Sequence, residues 1–309
     1  MDKIAFVFSG QGSQYAGMGR SLYECSESAR KIFEMAESRK SGIMDLCFNG
    51  DDEQLRQTAV TQPCVFTVSL AAAFALREMG IKPHAVAGFS LGEVTALAFA
   101  GAFSPETGFD VVVKRGELMD KAAKEREGFM AAVLKLDNDT AEDVCREFQE
   151  VYPVNYNCPG QLVVAGSIGE RDRFAEKIKA KGGIVRPLKV SGAFHSPFMG
   201  RAADSFREYL NGVGINPLKV PVYSNLTAQP YGEGSVTDTL CLQMKSPVKW
   251  QETIENMYRG GFRIFIETGP GTTLGGLIKK TVPPAVVLNA QDKDSLEITI
   301  DTLRGEGIC

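Results

Sequence analysis

The sequence predicts an α/β fold in which a large parallel-sheet domain carries a smaller inserted domain. Short apolar runs alternate with longer helical patterns along most of the chain, which is typical of parallel strands covered by helices. Between residues 128 and 189 the order becomes β-α-β-β-α-β, which is that of a ferredoxin-like domain. We therefore predict a discontinuous large domain at residues 1–127 and 190–309 and an insertion domain at residues 128–189. The cleft between them is the expected ligand site.

The predicted elements of the large domain follow from local patterns. Residues 4–8 predict a buried strand that ends in a Gly-rich turn at residues 9–14. A helix is predicted at residues 63–79, because Pro63 lies near its start and Gly80 just past its end. A short apolar run that ends at Gly88 predicts another strand. Further elements are expected as helices at residues 28–38, 93–100, 105–124, 198–210 and 249–259 and directly after the turn at residues 268–271, and as strands at residues 220–224, 263–267 and 285–288.

The insertion domain is expected to contain four strands and two helices. The strands are predicted at residues 129–136, 151–157, 161–166 and 184–190. The helices are predicted at residues 140–150 and 171–181.

Composition limits the class of protein. The chain is 44% hydrophobic and 23% charged, as expected of a soluble globular protein, and its net charge of −4 argues against a general nucleic-acid binder. The seven cysteines include no C-x-x-C pair. We therefore expect free thiols, no metal site and a cytoplasmic location. No apolar run approaches membrane-spanning length, so no membrane partner is expected.

The segment from Gly88 to Gly92 reads Gly-Phe-Ser-Leu-Gly and lies between a predicted strand and a predicted helix. In this setting Gly-x-Ser-x-Gly forms a sharp elbow, as in hydrolase-like parallel-sheet proteins, and raises the serine hydroxyl above the sheet. A side chain at either glycine would collide with the neighbouring strand or helix. The pattern thus indicates that Ser90 is a nucleophile for acyl transfer, although the same pattern also occurs as a simple turn.

A nucleophilic serine needs a base, and the chain has two histidines. His84 precedes the elbow strand, which places it at the opposite end of that strand from Ser90. His195 lies in a loop of small residues after the insertion, where the chain returns to the cleft. We therefore expect His195 to be the general base.

Taken together, the motifs resemble those of malonyl-CoA:acyl carrier protein transacylases, members of the acyltransferase family of fatty acid and polyketide synthesis. The resemblance runs over essentially the whole chain. It is carried by Gly10-Gln11-Gly12-Ser13-Gln14, the Ser90 elbow with Glu93, Lys114-Arg115-Gly116, the segment from Asn155 to Gln161, Gly192-Ala193-Phe194-His195-Ser196, Gln243 with Ser246-Pro247-Val248, and Glu267-Thr268-Gly269-Pro270-Gly271.

The resemblance implies roles for individual residues at the reacting centre. Ser90 is implied as the nucleophile and His195 as its base, with Gln243 associated with the histidine where a triad would have Asp. The backbone N–H groups of Gln11 and Leu91 are implied as the oxyanion hole.

Other residues are implied in substrate selection. Arg115 would bind the free carboxylate of the malonyl group, which suits the planar fork of a guanidinium. Asn155 and Asn157 would support the pocket. Phe89 stands where the family usually has His, and Phe194 matches the version associated with malonyl rather than methylmalonyl substrates.

The implied reaction moves a malonyl group from malonyl-CoA to the phosphopantetheine thiol of acyl carrier protein, by way of malonyl-Ser90. No bound cofactor is expected, because CoA enters as a thioester substrate. Three alternatives remain open: a stand-alone acyltransferase that serves a polyketide synthase, a serine thioesterase or hydrolase, and a binding module without catalysis.

Overall fold

Two separate β-sheets organise the chain in the structure, a computed structural model that describes residues 2–190, 192–232, 235–305 and 307. One sheet contains five strands in parallel pairing, and the other contains four strands in antiparallel pairing. The predicted α/β class, with a parallel sheet and a separate antiparallel sheet, is confirmed.

The strands and helices that position the site have the following bounds. The strands are β1 (Lys3–Phe8), β2 (Ala85–Gly88), β3 (Gly128–Leu134), β4 (Val151–Cys158), β5 (Gln161–Ser167), β6 (Ile184–Pro187), β7 (Val222–Tyr223), β8 (Phe262–Thr268) and β9 (Val286–Ala290). The α-helices are α1 (Arg20–Cys25), α2 (Glu27–Arg39), α3 (Ile43–Asn49), α4 (Asp52–Arg56), α5 (Thr58–Glu78), α6 (Leu91–Phe99), α7 (Pro105–Glu125), α8 (Asn138–Arg146), α9 (Arg171–Ala180), α10 (Gly200–Leu210), α11 (Val236–Met244), α12 (Trp250–Arg259), α13 (Thr273–Thr281) and α14 (Lys293–Gly305).

The parallel sheet has the strand order β7-β2-β1-β8-β9, with β1 at its centre. The pairing of β1 with β2 runs in register from Ala5 beside Ala85 to Phe8 beside Gly88, so the two strands end at the same level. Because both loops leave the same edge, the turn after β1 lies beside the elbow after β2. This placement brings the two Gly-rich motifs together.

Helix α5 lies in the core and packs against α2 and α7. Its most apolar 18-residue window has a mean hydropathy of 1.7, and 83% of that window is buried. Among the described residues it is the one helix long and apolar enough to cross a membrane, so the expectation that no run approaches that length is wrong. The helix begins at Thr58, which places Pro63 inside it rather than near its start.

The antiparallel sheet has the order β4-β5-β3-β6 and buries an aromatic cluster of Phe129, Phe148 and Phe174 beneath its helices. Its outer strand β4 is joined to the chain before α12 by backbone hydrogen bonds. Val248 donates to the carbonyl of Val154 at 2.8 Å, and Tyr156 donates to the carbonyl of Val248 at 2.9 Å. These bonds fix the outer edge of β4 against the chain before α12.

The predicted strands and helices are present, with ends that differ by a few residues. The largest shift at a strand end is at β6, which stops at Pro187 because its pairing with β3 ends there. Helices α1, α3 and α4 were not predicted, since each has seven residues or fewer and shows little periodicity. Helices α11 and α14 were also missed.

Candidate active site

Ser90 occupies a strained turn between β2 and α6. Its φ is 56°, a left-handed value that is unusual for a residue with a side chain. A Cβ on Gly88 would lie 1.9 Å from the backbone of Gly92, and one on Gly92 would lie 2.2 Å from the carbonyl oxygen of Phe8. Both glycines are therefore required by close backbone approach, as the sequence predicts. The turn leaves Ser90 at the N-terminus of α6, where backbone N–H groups favour negative charge.

Asn225 fixes the elbow from the neighbouring strand. Its Oδ1 accepts from the backbone N–H of Ser90 at 2.7 Å, and its Nδ2 donates to the carbonyl of Gly88 at 2.7 Å. Asn225 follows β7, which pairs with β2. Sequence reasoning missed this residue, although a polar residue just past a buried strand next to the elbow strand is a usable signal.

The Ser90 hydroxyl is paired with His195, as expected. Oγ of Ser90 lies 2.7 Å from Nε2 of His195, and Nδ1 of His195 lies 2.9 Å from the backbone carbonyl oxygen of Gln243. A carbonyl can only accept, so Nδ1 carries the hydrogen and Nε2 is free to take the serine proton. His84 instead bonds Ile4 near the start of β1, at the opposite end of the sheet from Ser90.

The His195 imidazole is uncharged at neutral pH. Burial lowers its pKa from 6.5 to about 4, and the nearby positive charge of Arg115 adds to this shift. A neutral imidazole beside a serine hydroxyl is the protonation state that general-base catalysis requires.

Arg115 projects from α7 into the same centre and is fully buried. Its Nη2 donates to Oγ of Ser90 at 3.2 Å and to Oε1 of Gln243 at 2.9 Å, and its Nη1 donates to Oε1 of Gln62 at 2.9 Å. Its Nε has no hydrogen-bond partner among the described residues. Burial lowers its pKa to about 10, which leaves the guanidinium charged at neutral pH. Gln62 was not predicted from the sequence.

The turn after β1 approaches the elbow closely. A Cβ on Gly10 would lie 2.7 Å from the carbonyl oxygen of Phe89. Gln11 follows at once, and its side chain donates to Oγ1 of Thr58 at 3.3 Å. Within the described part of the chain, the backbone N–H groups of Gln11 and Leu91 have no hydrogen-bond acceptor. Two free N–H groups on adjoining turns can stabilise an oxyanion.

Two adjoining cavities lead to this centre. The inner one, of about 80 Å³, is lined by Ser90, His195 and Phe194 among others. The outer one, of about 220 Å³, is lined by Asn155 and Asn157 of β4. Both cavities share four lining residues: Gln11, Phe89, Asn155 and Leu188. The site is thus a narrow pocket continued by a wider channel.

The walls of the channel combine unpaired amides and aromatic rings. The Oδ1 atoms of Asn155 and Asn157 are buried without a hydrogen-bond partner among the described residues. The Phe89 ring packs edge-on against Trp250, with 5.6 Å between ring centroids. Apolar walls with a few convergent polar groups are typical of small-molecule sites.

The described residues contain no group of three or more His, Cys, Asp or Glu side chains that could hold a metal ion. The centre instead brings together a serine hydroxyl, a neutral imidazole, a buried cation and two N–H groups without an acceptor among the described residues. That set can transfer an acyl group, because each part of the reaction has a matching residue.

The sequence profile that describes the acyl transferase domain matches residues 5–298. The chain belongs to the acyl transferase family. Among curated members, the malonyl CoA-acyl carrier protein transacylase of Bacillus subtilis (strain 168) is 39% identical over 314 residues, which cover 99% of each protein.

Solved structures of acyl transferases share the fold. The malonyl CoA-acyl carrier protein transacylase of Clostridium perfringens superposes with a TM-score of 0.96 at 36% identity, and the match covers 99% of this chain and 98% of that one. A malonyl-transacylase solved in complex with its type II PKS acyl-carrier protein gives a TM-score of 0.93 at 33% identity, with 97% and 99% covered.

Proposed function

We propose that the chain transfers the malonyl group of malonyl-CoA to the phosphopantetheine thiol of acyl carrier protein, in fatty acid synthesis. The observation that carries this proposal is the Arg115 guanidinium, which is buried and lies 3.2 Å from the Ser90 hydroxyl. A cation at that distance can bind an acyl group that ends in a carboxylate. The names of the B. subtilis and C. perfringens relatives support the same substrate and carrier.

The first half-reaction forms malonyl-Ser90. His195 Nε2 takes the proton of the serine hydroxyl while Oγ attacks the thioester carbonyl. The N–H groups of Gln11 and Leu91 donate to the resulting oxyanion. The tetrahedral intermediate then collapses, the C–S bond breaks, and the CoA sulfur leaves with the proton from His195.

The second half-reaction is the reverse of the first. The pantetheine thiol of the carrier gives its proton to His195 and its sulfur attacks the serine ester. The C–O bond breaks and Ser90 recovers its proton. Arg115 holds the malonyl carboxylate throughout, and Gln243 accepts the Nδ1–H of His195 through its backbone carbonyl.

The channel suits the pantetheine arm of CoA and of the carrier protein, which contains two amides. Asn155 and Asn157 line the channel, and their side-chain amides are the polar groups there that can hydrogen-bond the amides of pantetheine. Phe89 and Phe194 line the same cavity as Ser90 and make part of its wall apolar. The site supplies its own nucleophile, base and cation, so we propose no bound cofactor or metal.

A finer description of the fold belongs to the same proposal. The elbow on β2 supports a hydrolase-like large domain at residues 1–127 and 190–309. The strand order β4-β5-β3-β6 supports a ferredoxin-like insertion at residues 128–189. The six cysteines that the structure describes are free thiols, which supports a cytoplasmic location.

The proposal is tested by intact-protein mass spectrometry after brief incubation with malonyl-CoA and no carrier. We expect one malonyl adduct on the wild type and none on Ser90→Ala. Added phosphopantetheinylated carrier protein should discharge the adduct. Loss of the adduct to water at the same rate without carrier would indicate a hydrolase, and no adduct would indicate a binding module.

The choice of pathway is tested with two carriers. The solved complex with a type II PKS acyl-carrier protein makes a polyketide carrier the second candidate. We expect discharge of malonyl-Ser90 to be faster with a fatty acid carrier than with a polyketide carrier. The opposite order would favour the polyketide assignment.

The pH dependence follows from the state of His195. Only the neutral imidazole can accept the serine proton, so kcat/KM for acetyl-CoA should stay level down to about pH 5 and fall as the pH drops through about 4. Arg115→Gln removes one cause of the low pKa of His195. In this variant kcat/KM should therefore begin to fall at a higher pH than in the wild type. If kcat/KM falls on the acidic side with a midpoint near pH 6.5 in both proteins, His195 does not have the buried environment assigned to it.

A further inference from the structure

Glu93 is a fully buried carboxylate in the first turn of α6, three residues after Ser90. Its carboxylate accepts from the Tyr231 hydroxyl, from Nε2 of Gln243 at 2.9 Å and from the backbone N–H of Asn225 at 3.1 Å. Among the described residues it makes no salt bridge. A buried carboxylate without a cation in contact is costly, and it calls for a role.

Two of the groups that bond Glu93 also bond reacting groups. Gln243 donates from Nε2 to the carbonyl of Ser90 at 2.8 Å and accepts from Arg115 at Oε1. Asn225 holds the backbone at Gly88 and at Ser90, on either side of Phe89. Glu93 is therefore one contact away from Arg115 and from Ser90, although it touches neither through its side chain in the hydrogen bonds of the site.

The Glu93 carboxylate and the Ser90 carbonyl together favour one orientation of the Gln243 amide. An amide has one oxygen that accepts and one NH₂ that donates. Because Glu93 and the Ser90 carbonyl both accept from the NH₂ group, the amide oxygen faces the Arg115 guanidinium. The reversed amide would direct its donors at a guanidinium that can only donate, and it would direct its oxygen at a carboxylate.

Charge reinforces this geometry. Arg115 makes no salt bridge within the part of the chain that the structure describes, and the charge of Glu93 favours its charged form across the Gln243 amide. Burial raises the pKa of Glu93, and the three donors oppose that rise. The amide thus links a buried anion to a buried cation.

We propose that Glu93 is a positioning residue that sets the preference for carboxylate-bearing acyl groups, by holding Gln243 in the orientation that aims Arg115 at the acyl site. This inference rests on the proposed function. It assigns to Glu93 no contact with the substrate.

The test compares Glu93→Gln with the wild type, using malonyl-CoA and acetyl-CoA. A glutamine at this position can present NH₂ to Gln243, which allows the Gln243 amide to reverse. We expect KM for malonyl-CoA to rise at least tenfold and the preference for malonyl over acetyl to fall at least tenfold. Transfer of acetyl should change by less than about threefold.

A matched control removes the contact on the other side of the carboxylate. Tyr231→Phe deletes one donor to Glu93 and leaves the bond to Gln243 in place. We expect its malonyl preference to stay within about twofold of the wild type. If Glu93→Gln does not fold, Glu93→Asp decides, because its shorter carboxylate cannot reach Gln243 and Asn225 together and should lose preference in the same direction.

The proposal is overturned if a folded Glu93→Gln or Glu93→Asp keeps the malonyl preference of the wild type, or if malonyl and acetyl transfer fall equally. The proposed function fails by a different result, namely the lack of a malonyl adduct on the wild type. The two outcomes are therefore distinguishable.

Discussion

Replacement of Arg115 by alanine should abolish the preference for malonyl over acetyl groups. The guanidinium is buried, charged and 3.2 Å from Oγ of Ser90, so its loss leaves the malonyl carboxylate desolvated without a partner. Truncation of one member of a buried charge pair costs about 2–5 kcal/mol, which is ~30-fold to several thousandfold in kcat/KM. Acetyl transfer should be retained or increased. The measurement is the ratio of kcat/KM for the two CoA esters.

Arg115→Lys is the matched variant for this experiment. It keeps a positive charge but loses the fork that reaches Ser90, Gln243 and Gln62 together. We expect its ratio of kcat/KM for malonyl-CoA to kcat/KM for acetyl-CoA to lie between those of the wild type and Arg115→Ala, and closer to that of Arg115→Ala. A malonyl preference that survives in Arg115→Ala would rule out the assigned role.

His195→Ala should slow the acylation of Ser90 by about 10²–10⁴-fold. In the proposed reaction the imidazole nitrogen 2.7 Å from Oγ accepts the serine proton, since Arg115, which also contacts Oγ, can only donate. Single-turnover formation of malonyl-Ser90, followed by quenched mass spectrometry, measures the effect directly. Arg115 still binds the carboxylate, so KM should change much less than the rate.

The second histidine provides the control for this variant. His84 accepts from the backbone N–H of Ile4 at 3.0 Å, at the far end of the sheet. His84→Ala should lower the free energy of unfolding by about 1 kcal/mol and leave the acylation rate unchanged. A His195→Ala rate within about tenfold of the wild type would show that another group accepts the proton.

The parts of the site that the sequence predicts are those formed by neighbouring residues. The elbow is specified by Gly88, Ser90 and Gly92 and by the strand and helix that flank them, and the structure has the strained φ and close contacts that this pattern requires. The association of His195 with Ser90 was inferable because the chain offers a single other histidine. The meeting of Arg115 with Ser90 was expected from resemblance alone.

The residues that sequence reasoning missed depend on contacts between distant segments. Gln62 and Asn225 reach the site from α5 and from the loop after β7, and neither segment carries a motif. Glu93 did offer a signal, because it is the one charged residue of α6, which is otherwise apolar apart from Thr95. Its partners could not be predicted, since the loops that supply Asn225 and Tyr231 show no regular periodicity.

The hydrogen bonds that join β4 to Val248 affect how substrates reach Ser90. They cover the outer edge of β4 near Val154 and Tyr156, so that stretch is not open to pairing with another chain. They also hold in place the strand that carries Asn155 and Asn157. Because these residues line the channel to Ser90, the bonds help to set its width. In the proposed reaction, CoA and the carrier protein present the same thiol-bearing arm and therefore enter this channel one after the other, and Ser90 carries the acyl group between the two steps.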